Sequence, residues 1–255
     1  MSTSVPEASR VNFADHSALV VGVGGLGCPA AWVLVRAGVG RVILVDDDDV
    51  EISNLHRQIL FQDQDVGKPK LTAAARVLKQ HAQPFQSIVE VSSRFLPDNA
   101  LSLLEGVDVV VEGSDNFATK FLTADAAHLA KVPVVHGAAI RFQGTVWAVA
   151  AEGRPCYRCL FEDVPEAQAG LNCSQAGVMG PMVGVVGALL ADSALRILAG
   201  DSAVFGEVAT FDGKRDVLRR VEVPANPQCP LCGPFQSIGD VRESRYIDGL
   251  SLSSA

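Results

Sequence analysis

The sequence predicts an α/β fold in which a doubly wound, mainly parallel sheet is extended by antiparallel strands. Residues 18–49 read as an apolar strand, a glycine-rich turn, a helix of small residues and a second apolar strand that ends in acid. Apolar strands at 85–91, 107–111 and 132–137 alternate with helical patterns, which is typical of βαβ units. Residues 144–150 alternate between apolar and polar side chains, as an antiparallel strand does.

The glycine-rich turn is the first candidate binding element. Gly22, Gly24 and Gly27 have the G-x-G-x-x-G spacing, and Gly25 is an additional glycine. Without side chains, the backbone N–H groups can approach a phosphate, and a helix that begins near Gly25 adds its positive dipole end. Asp46 ends the next strand, where a carboxylate can bond ribose hydroxyls, so this Rossmann-like unit predicts nucleotide binding. A purely structural turn is the alternative, and the nucleotide stays open.

A long polar stretch at 51–70 follows, and long loops inside compact domains are often functional. Its polar and cationic side chains suit an anionic ligand: Asn54, Arg57, Gln58, Lys68 and Lys70. The two lysines bracket the start of a helix predicted from 69 to about 81, where the helix dipole disfavours cations. A nearby anion would offset them; a solvated face is the alternative for Lys70. Arg57 lies in an apolar setting, where an unpaired guanidinium is costly.

Asp115 is the candidate magnesium ligand. It follows the strand at 107–111, and the carboxyl ends of parallel strands face the ligand crevice. Mg²⁺ is usually held by one or two carboxylates together with phosphate oxygens. The alternative is that Asp115 caps the helix predicted over 116–131, and the two roles are compatible.

Two C-x-x-C pairs predict a structural zinc site with Cys156, Cys159, Cys229 and Cys232 as ligands. Four thiolates leave no open position on the metal, and a redox pair is the alternative. The seventy residues between the pairs mean that the ion would tie the chain end back onto the domain. Cys28 is expected to be a small core residue. Cys173 lies in an irregular segment where a thiol could be a nucleophile, or be buried and inert.

Composition and charge limit the classes of function. The formal net charge of −8 argues against a nucleic-acid partner, because binding a phosphate backbone needs a basic face. No basic and apolar leader opens the chain, which predicts a cytoplasmic protein. Residues 176–190 are apolar but contain a proline and four glycines, and they are short for a membrane span of about 20 residues. We expect a buried helix from about 179 to 198, at a subunit interface, and no membrane span.

The assembled motifs resemble the ThiF/MoeB branch of the ubiquitin-activating superfamily, whose members activate small sulfur-carrier proteins for thiamine and molybdopterin synthesis. The resemblance covers residues 18–233, in the family's order. The matching stretches are GVGGLG at 22–27, DDDDVEISNLHRQILF at 46–61, DVGKPK at 65–70, SDN at 114–116, VPVVHGAAIRFQG at 132–144, CYRCL at 156–160, NCSQAGVMGP at 172–181 and CPLCG at 229–233.

The resemblance implies one adenylation domain over 1–255, with a nucleotide-binding half at 18–150 and the zinc knuckles, buried helix and antiparallel strands at 151–235. ATP would be the ligand, with Asp46 on the ribose and Asp115 on Mg²⁺. The triphosphate would be held by Asn54, Arg57, Gln58 and Lys70. The four paired cysteines would bind Zn²⁺, and Cys173 matches a cysteine that takes part in sulfur transfer in the thiamine branch.

The implied partners are a small ubiquitin-like sulfur-carrier protein with a Gly-Gly C-terminus, ThiS-like or MoaD-like, a separate sulfur donor protein and a second copy of the chain. Motifs such as FDGK at 211–214 lean slightly towards thiamine, whereas GAAIRFQG at 137–144 leans towards molybdopterin. Family members usually begin with a longer helix bearing an R-Y-x-R-type motif that Arg10 does not match. Either the start is truncated, or that contact is missing or replaced. No rhodanese domain follows CPLCG, so sulfur would come from another protein.

Three alternatives remain at this stage. An NAD-dependent oxidoreductase shares the glycine fingerprint but does not explain the loop at 51–70 or the closed cysteine site. A non-catalytic, nucleotide-binding partner subunit would fit the short start of the chain. Adenylation of a short peptide in natural-product biosynthesis would use the same nucleotide site.

Overall fold

A computed structural model describes residues 11–161, residue 163 and residues 177–246. Within these residues, eight strands form one sheet in the order β3-β2-β1-β4-β5-β6-β7-β8. The strands are β1 (Ser17–Val21), β2 (Arg41–Val45), β3 (Ser87–Val91), β4 (Val109–Glu112), β5 (Val134–Ile140), β6 (Gln143–Val149), β7 (Glu207–Asp212) and β8 (Val217–Glu222). The first five run parallel, and β6 to β8 are antiparallel. The predicted fold is confirmed.

Helices cover both faces of the sheet. They are α1 (Gly27–Ala37), α2 (Lys70–Lys79), α3 (Ala100–Leu103), α4 (Phe117–Ala130), α5 (Tyr157–Leu160) and α6 (Gly180–Leu198). Short 3₁₀ turns lie at Ile52–Asn54, Asp63–Asp65, Ser202–Val204 and Glu243–Arg245. One apolar core lies between the sheet and α1, α2 and α6, and a second lies between the sheet and α3, α4 and α5.

Some predicted bounds were wrong by a few residues. Helix α1 begins at Gly27 and not near Gly25, because residues 24–26 still form the turn. Strand β5 continues to Ile140, three residues past its predicted end, because a tight hairpin pairs Ile140 with Gln143 of β6. Between β3 and β4 the chain forms a single helical turn, α3 over Ala100–Leu103.

The order of the parallel strands creates a crevice at the carboxyl ends of β1 and β4. The chain leaves β1 towards β2 on one side and reaches β4 on the other, so the loops after these two strands diverge. Such a switch point is where open α/β sheets bind ligands.

The predicted buried helix is α6, which packs against α1, β5 and β6. Gly187 allows the close contact with α1, since a Cβ there would lie 2.3 Å from Cγ of Pro29. Among the described residues, α6 alone has the length and mean hydropathy (1.6) to cross a bilayer. Half of its most apolar 18-residue segment is buried inside the protein. A helix that packs one face against a sheet in a protein core has the same length and apolar composition, so these two properties do not identify a membrane span.

Candidate functional site

A cleft of about 450 Å³ opens at the switch point of the sheet. Every residue predicted to bind nucleotide lines it, except Gly27 and Lys68. Residues that the sequence reasoning did not select also line it: Asp47, Asp48, Asp49, Glu51, Arg94, Phe95, Ser114, Thr119, Ala138, Ala139, Val178 and Val183. The run of four aspartates at 46–49 is the sequence signal that could have identified Asp47, Asp48 and Asp49.

Glycine is needed at both ends of the turn after β1. Gly22 has a φ of +83°, in the region that side chains disfavour, and its N–H donates to the carbonyl of Val45 at 2.9 Å. Gly27 serves packing, because a Cβ there would lie 1.9 Å from the carbonyl oxygen of Gly22. The two ends of the turn therefore pack closely on each other, and Gly22, Gly24 and Gly25 face the cleft.

Asp46 joins this turn to the end of β2. Its two carboxylate oxygens accept hydrogen bonds from the backbone N–H groups of Val23 at 2.7 Å and Asp48 at 2.9 Å. Burial raises the pKa of Asp46, although the ammonium of Lys70 and the two N–H donors oppose that effect. Carboxylate oxygens have further acceptor positions, so the side chain can position the turn and still bond ribose hydroxyls.

Lys70 is the buried cation of the cleft, with only 5% of the residue exposed. Its Nζ lies 2.6 Å from Oδ2 of Asp48 and 4.0 Å from Oδ1 of Asp46. Burial lowers the pKa of Lys70, but the carboxylates of Asp46, Asp48 and Asp115 outweigh burial and raise it above its ordinary value. Lys70 is therefore charged at neutral pH. Lys68, its predicted companion, is exposed and does not line the cleft.

Arg57 and Asn54 form a local pair on the loop above the cleft. The Arg57 guanidinium donates to the side-chain oxygen of Asn54 and to the carbonyl of Ser53. The half-buried guanidinium is thus paired on one side while it lines the cleft with the other. Beside it, Gln58 is 3% exposed, and its Oε1 is buried without a hydrogen-bond partner. A polar ligand in the cleft would supply that missing partner.

Asp115 projects its carboxylate into the cleft from the loop after β4, and it is exposed. The alternative that it caps α4 is wrong, because the side chain of Asn116 accepts the hydrogen bond from Thr119 N at 2.8 Å. The Asp115 carboxylate is therefore not used as a helix cap. An exposed carboxylate facing a cleft that also holds Asp46–Asp48 suits Mg²⁺, since hard cations prefer oxygen ligands.

A buried charge network below this loop was not predicted. Glu112, which is fully buried, accepts hydrogen bonds from the backbone N–H of Ser114 at 2.8 Å and from the Ser114 hydroxyl. Lys120 donates to Glu112 at 2.7 Å and to the Gly137 carbonyl at 2.6 Å. Burial raises the pKa of Glu112, but Lys120 and His136 outweigh it and lower the pKa below its ordinary value. The sequence signal that could have identified this network is the position of Glu112, directly after the apolar residues of β4.

The four paired cysteines converge, as predicted, and are close enough to hold a metal ion. Their sulfur atoms lie 3.4 Å apart for Cys156–Cys229 and Cys159–Cys232, and 3.9 Å apart for Cys156–Cys159. Tetrahedral zinc with bonds of about 2.3 Å separates its sulfur ligands by about 3.8 Å, so the donor set and spacing fit zinc.

The two remaining cysteines differ in position. Cys28 is fully buried, with its thiol 3.4 Å from the carbonyl of Val23, which agrees with the predicted core role. Burial raises the pKa of the Cys28 thiol to about 12, so it is unreactive at neutral pH. Cys173 lies outside the described residues, and its role stays a prediction.

Comparison with known sequences gives consistent names. The sequence profile of the ThiF family matches residues 2–231. The sulfur carrier protein adenylyltransferase of Thermus thermophilus is 43% identical over 223 residues, which are 85% of this chain and 82% of that protein. The SAMP-activating enzyme E1 of Haloferax volcanii is 37% identical over 236 residues, or 92% of this chain and 86% of that protein.

Longer relatives and solved structures also match. The adenylyltransferase and sulfurtransferase MOCS3 of Anopheles gambiae is 41% identical over 239 residues, and the chain spans 53% of its length. The crystal structure of E. coli MccB with ATP has a TM-score of 0.74 at 20% identity, and the match covers 86% of this chain and 68% of that one. At that identity the likeness shows the fold.

Proposed function

Because the chain belongs to the ThiF family, we propose that it is an ATP-dependent adenylyltransferase acting on a small ubiquitin-like sulfur-carrier protein. The carrier's C-terminal glycine carboxylate would attack the α-phosphate of ATP. The bond to the β-phosphate would break, giving a carrier acyl-adenylate and pyrophosphate. The names of the Thermus and Haloferax relatives support this class of substrate.

The observation that carries the proposal is the convergence of separate segments on one cleft. The glycine turn, the Arg57 loop, Lys70 at the start of α2 and Asp115 after β4 all line it. A carboxylate substrate is already ionised at neutral pH, so the reaction needs no general base. It needs alignment and neutralisation of the negative charges of phosphates and carboxylate, which fixed cations provide.

Each residue has a role in this scheme. Asp46 would hold the ribose, and Asp115 would hold Mg²⁺, which shields phosphate charge when bound. The triphosphate would be bound by Asn54, Arg57, Gln58 and Lys70. Zn²⁺ on the four paired cysteines would be structural, because the sulfur ligands complete its coordination.

The proposal also includes further partners and a cellular location. A homodimer and a separate sulfur donor protein follow from the family resemblance, and we propose them together with a cytoplasmic location. Cys173 would act in a later sulfur-transfer step, so we expect Cys173→Ser to spare adenylation.

The test is ATP–pyrophosphate exchange with Mg²⁺ in the presence of a thiamine carrier, a molybdopterin carrier or no carrier. We expect exchange with one carrier and its loss when that carrier's terminal glycine is removed, which would also identify the pathway. Measurable ATP binding without exchange for either carrier would contradict the proposal and favour a peptide substrate or a partner-subunit role.

A further inference from the structure

The carboxylate of Asp115, the proposed magnesium ligand, is not oriented by a hydrogen bond of its own. Within the part of the chain that the structure describes, no group donates to it, and Lys70 interacts with it through charge. The side chain is exposed. Its direction in the cleft therefore depends on the backbone on either side, at Ser114 and Asn116. Asn116 is fixed by the helix, because its side chain accepts from the N–H of Thr119 at 2.8 Å.

Glu112 fixes the residue on the other side of Asp115. It is the last residue of β4 and is fully buried. Its Oε1 accepts hydrogen bonds from the backbone N–H of Ser114 at 2.8 Å and from the Ser114 hydroxyl. One carboxylate oxygen thus holds both the backbone and the side chain of Ser114, and hydrogen bonds to an ionised group are the stronger ones. The peptide that leads into Asp115 therefore starts from a fixed point.

The loop after β4 also packs closely on the glycine turn. A Cβ at Gly22 would lie 3.2 Å from Ser114 N, and a Cβ at Gly113 would lie 3.2 Å from Gly27 N. The N–H of Gly113 donates to the carbonyl of Val21 at 3.0 Å. These contacts bring the loop against the turn, but glycines have no side chain with which to fix its direction. The buried carboxylate supplies that side-chain anchor.

Glu112 is itself held by Lys120. The Lys120 Nζ donates to Oε2 of Glu112 at 2.7 Å and to the carbonyl of Gly137 at 2.6 Å, so the pair joins α4, β4 and β5. Nδ1 of His136 lies 3.4 Å from the same Oε2. Each of these contacting groups can donate, and an ionised carboxylate only accepts. The network therefore matches a charged Glu112, and an uncharged amide of the same shape would not satisfy it.

We propose that Glu112 is a positioning residue for magnesium binding, which acts through Ser114 and keeps the Asp115 carboxylate directed into the cleft. This rests on the proposed function, in which ATP enters that cleft with Mg²⁺. Groups that hydrogen-bond the surroundings of a metal ligand set its orientation, and losing one typically costs about 10- to 100-fold in metal affinity or activity.

The test measures ATP binding by calorimetry, once with Mg²⁺ and once with EDTA, and so needs neither carrier nor turnover. We call the ratio of the two affinities the magnesium gain. Glu112→Gln keeps the side-chain shape but replaces one acceptor oxygen by an NH₂ group that faces donors. We expect this variant to keep the wild-type affinity for ATP in EDTA and to lower the magnesium gain about 10-fold.

A double variant distinguishes positioning from an independent effect. If Glu112 acts through Asp115, then Glu112→Gln should change nothing further in an Asp115→Ala background, because no carboxylate is left to position. Residues that act independently show additive free energies, so their fold-losses multiply. Multiplied losses of the magnesium gain in the double variant would overturn the proposal.

Asp125 offers the matched control. It is another fully buried carboxylate, it pairs with a cation, Arg158, and it lies on α4 outside the cleft lining. Asp125→Asn should keep the wild-type magnesium gain, with the folding of each variant checked by circular dichroism. An equal loss in Asp125→Asn and Glu112→Gln would show that general loosening of the fold is responsible, and would overturn the proposal.

Ser114→Ala serves if Glu112→Gln does not fold, because it removes the hydroxyl donor and keeps the Glu112–Lys120 pair. We expect it to lower the magnesium gain about 3-fold, as loss of one hydrogen bond does. A folded Ser114→Ala with the wild-type gain would then overturn the assignment.

Failure of the proposed function gives a different pattern. If ATP binds with a magnesium gain but neither carrier supports exchange, the proposed substrate is wrong, and the variants still decide the role of Glu112. A wild-type chain whose ATP affinity does not depend on Mg²⁺ would overturn the positioning role alone. A wild-type chain that binds no ATP would overturn both.

Discussion

At the scale of single residues, the cleft holds its cations on polar partners before any ligand binds. Lys70 contacts Asp48, and the Arg57 guanidinium contacts Asn54. These contacts hold the cations in position but do not consume all of their donors, since an ammonium has three and a guanidinium five. A phosphate entering the cleft therefore meets donors that are already oriented, which is the condition for electrostatic stabilisation of a transition state.

Lys70→Met should lower the exchange rate at least 100-fold and weaken ATP binding, because a preorganised cation facing developing charge is typically worth that factor. It should also leave Asp46 and Asp48 without their counter-charge. Lys68→Met is the matched control: its side chain is exposed and outside the cleft, so its rate should equal that of the wild type. Equal losses in both variants would show that general positive charge, and not the Lys70 position, matters.

The pH dependence of stability should reveal His136. It contacts Glu112, lies near Lys120 and packs on Tyr157, and its pKa is lowered in the folded chain. The unfolded chain therefore takes up the proton first, so this contribution is complete above about pH 6.5 and is lost as the pH falls below that value.

We expect His136→Gln, which cannot titrate, to become less destabilising relative to the wild type between pH 7.5 and 5.5. Urea unfolding at a series of pH values measures this difference. His56→Gln, at an exposed position, is the control and should show a constant difference. A constant difference for His136→Gln as well would contradict the prediction.

The sequence identified the residues whose chemistry follows from type and spacing. The glycine turn, Arg57, Lys70 and Asp115 line the cleft and the paired cysteines lie together, whereas Lys68 does not reach the cleft. It did not identify Asp48 as the partner of Lys70, or the Glu112–Lys120 pair. Those contacts join residues 22 and 8 positions apart across different elements, and only the three-dimensional arrangement decides which acid reaches which lysine.

At the scale of secondary-structure elements, α4 is joined to the segment of the first cysteine pair by a buried ion pair. Arg158 of α5 donates to both oxygens of Asp125, at 2.7 and 2.9 Å, and lies over the Phe121 ring. The Tyr246 hydroxyl donates to the same carboxylate at 2.6 Å. This one carboxylate thus connects α4, the first cysteine pair and the end of the described chain.

Asp125→Ala should lower the free energy of unfolding by about 3–5 kcal/mol, because it removes the buried carboxylate that accepts two hydrogen bonds from Arg158. Glu90→Ala is the control, since it removes a partner of Lys79 at 2.8 Å in a solvent-exposed pair, and exposed pairs contribute about 0–1 kcal/mol. Chemical denaturation of both variants gives the comparison. A loss below about 1 kcal/mol for Asp125→Ala would mean that Arg158 finds another partner or solvent.

At the scale of the whole molecule, the parallel half was the easier part to predict. Each of its strands is a continuous apolar run followed by a helical pattern, and right-handed crossovers restrict their order. Strand β5 was harder, since its end depends on the hairpin that pairs it with β6. The cavity of about 190 Å³ that adjoins the cleft could not be predicted, because its wall combines β5, β6, β7, α4 and α5.

Cys229→Ser should release the zinc and lower the melting temperature, without direct effect on the cleft, whose lining contains none of the four ligands. Metal analysis of the purified protein should find about one zinc per chain in the wild type and almost none in the variant. Cys28→Ala, which removes a thiol outside the cluster, should retain the metal. A wild-type chain that purifies without zinc and melts at the same temperature as Cys229→Ser would reject a structural role.

The distance along the chain between the two cysteine pairs also determines how late in synthesis the chain can finish folding. Everything from Cys159 to Cys229, including α6, β7 and β8, becomes a closed ring once the four sulfurs share an ion. On the ribosome the first pair emerges long before the second, so the parallel strands can assemble while the ring is still open. With zinc as the proposed ion, metal capture would come late in synthesis, and a cell short of zinc would accumulate chains whose first half is folded and whose second half is not yet held in place.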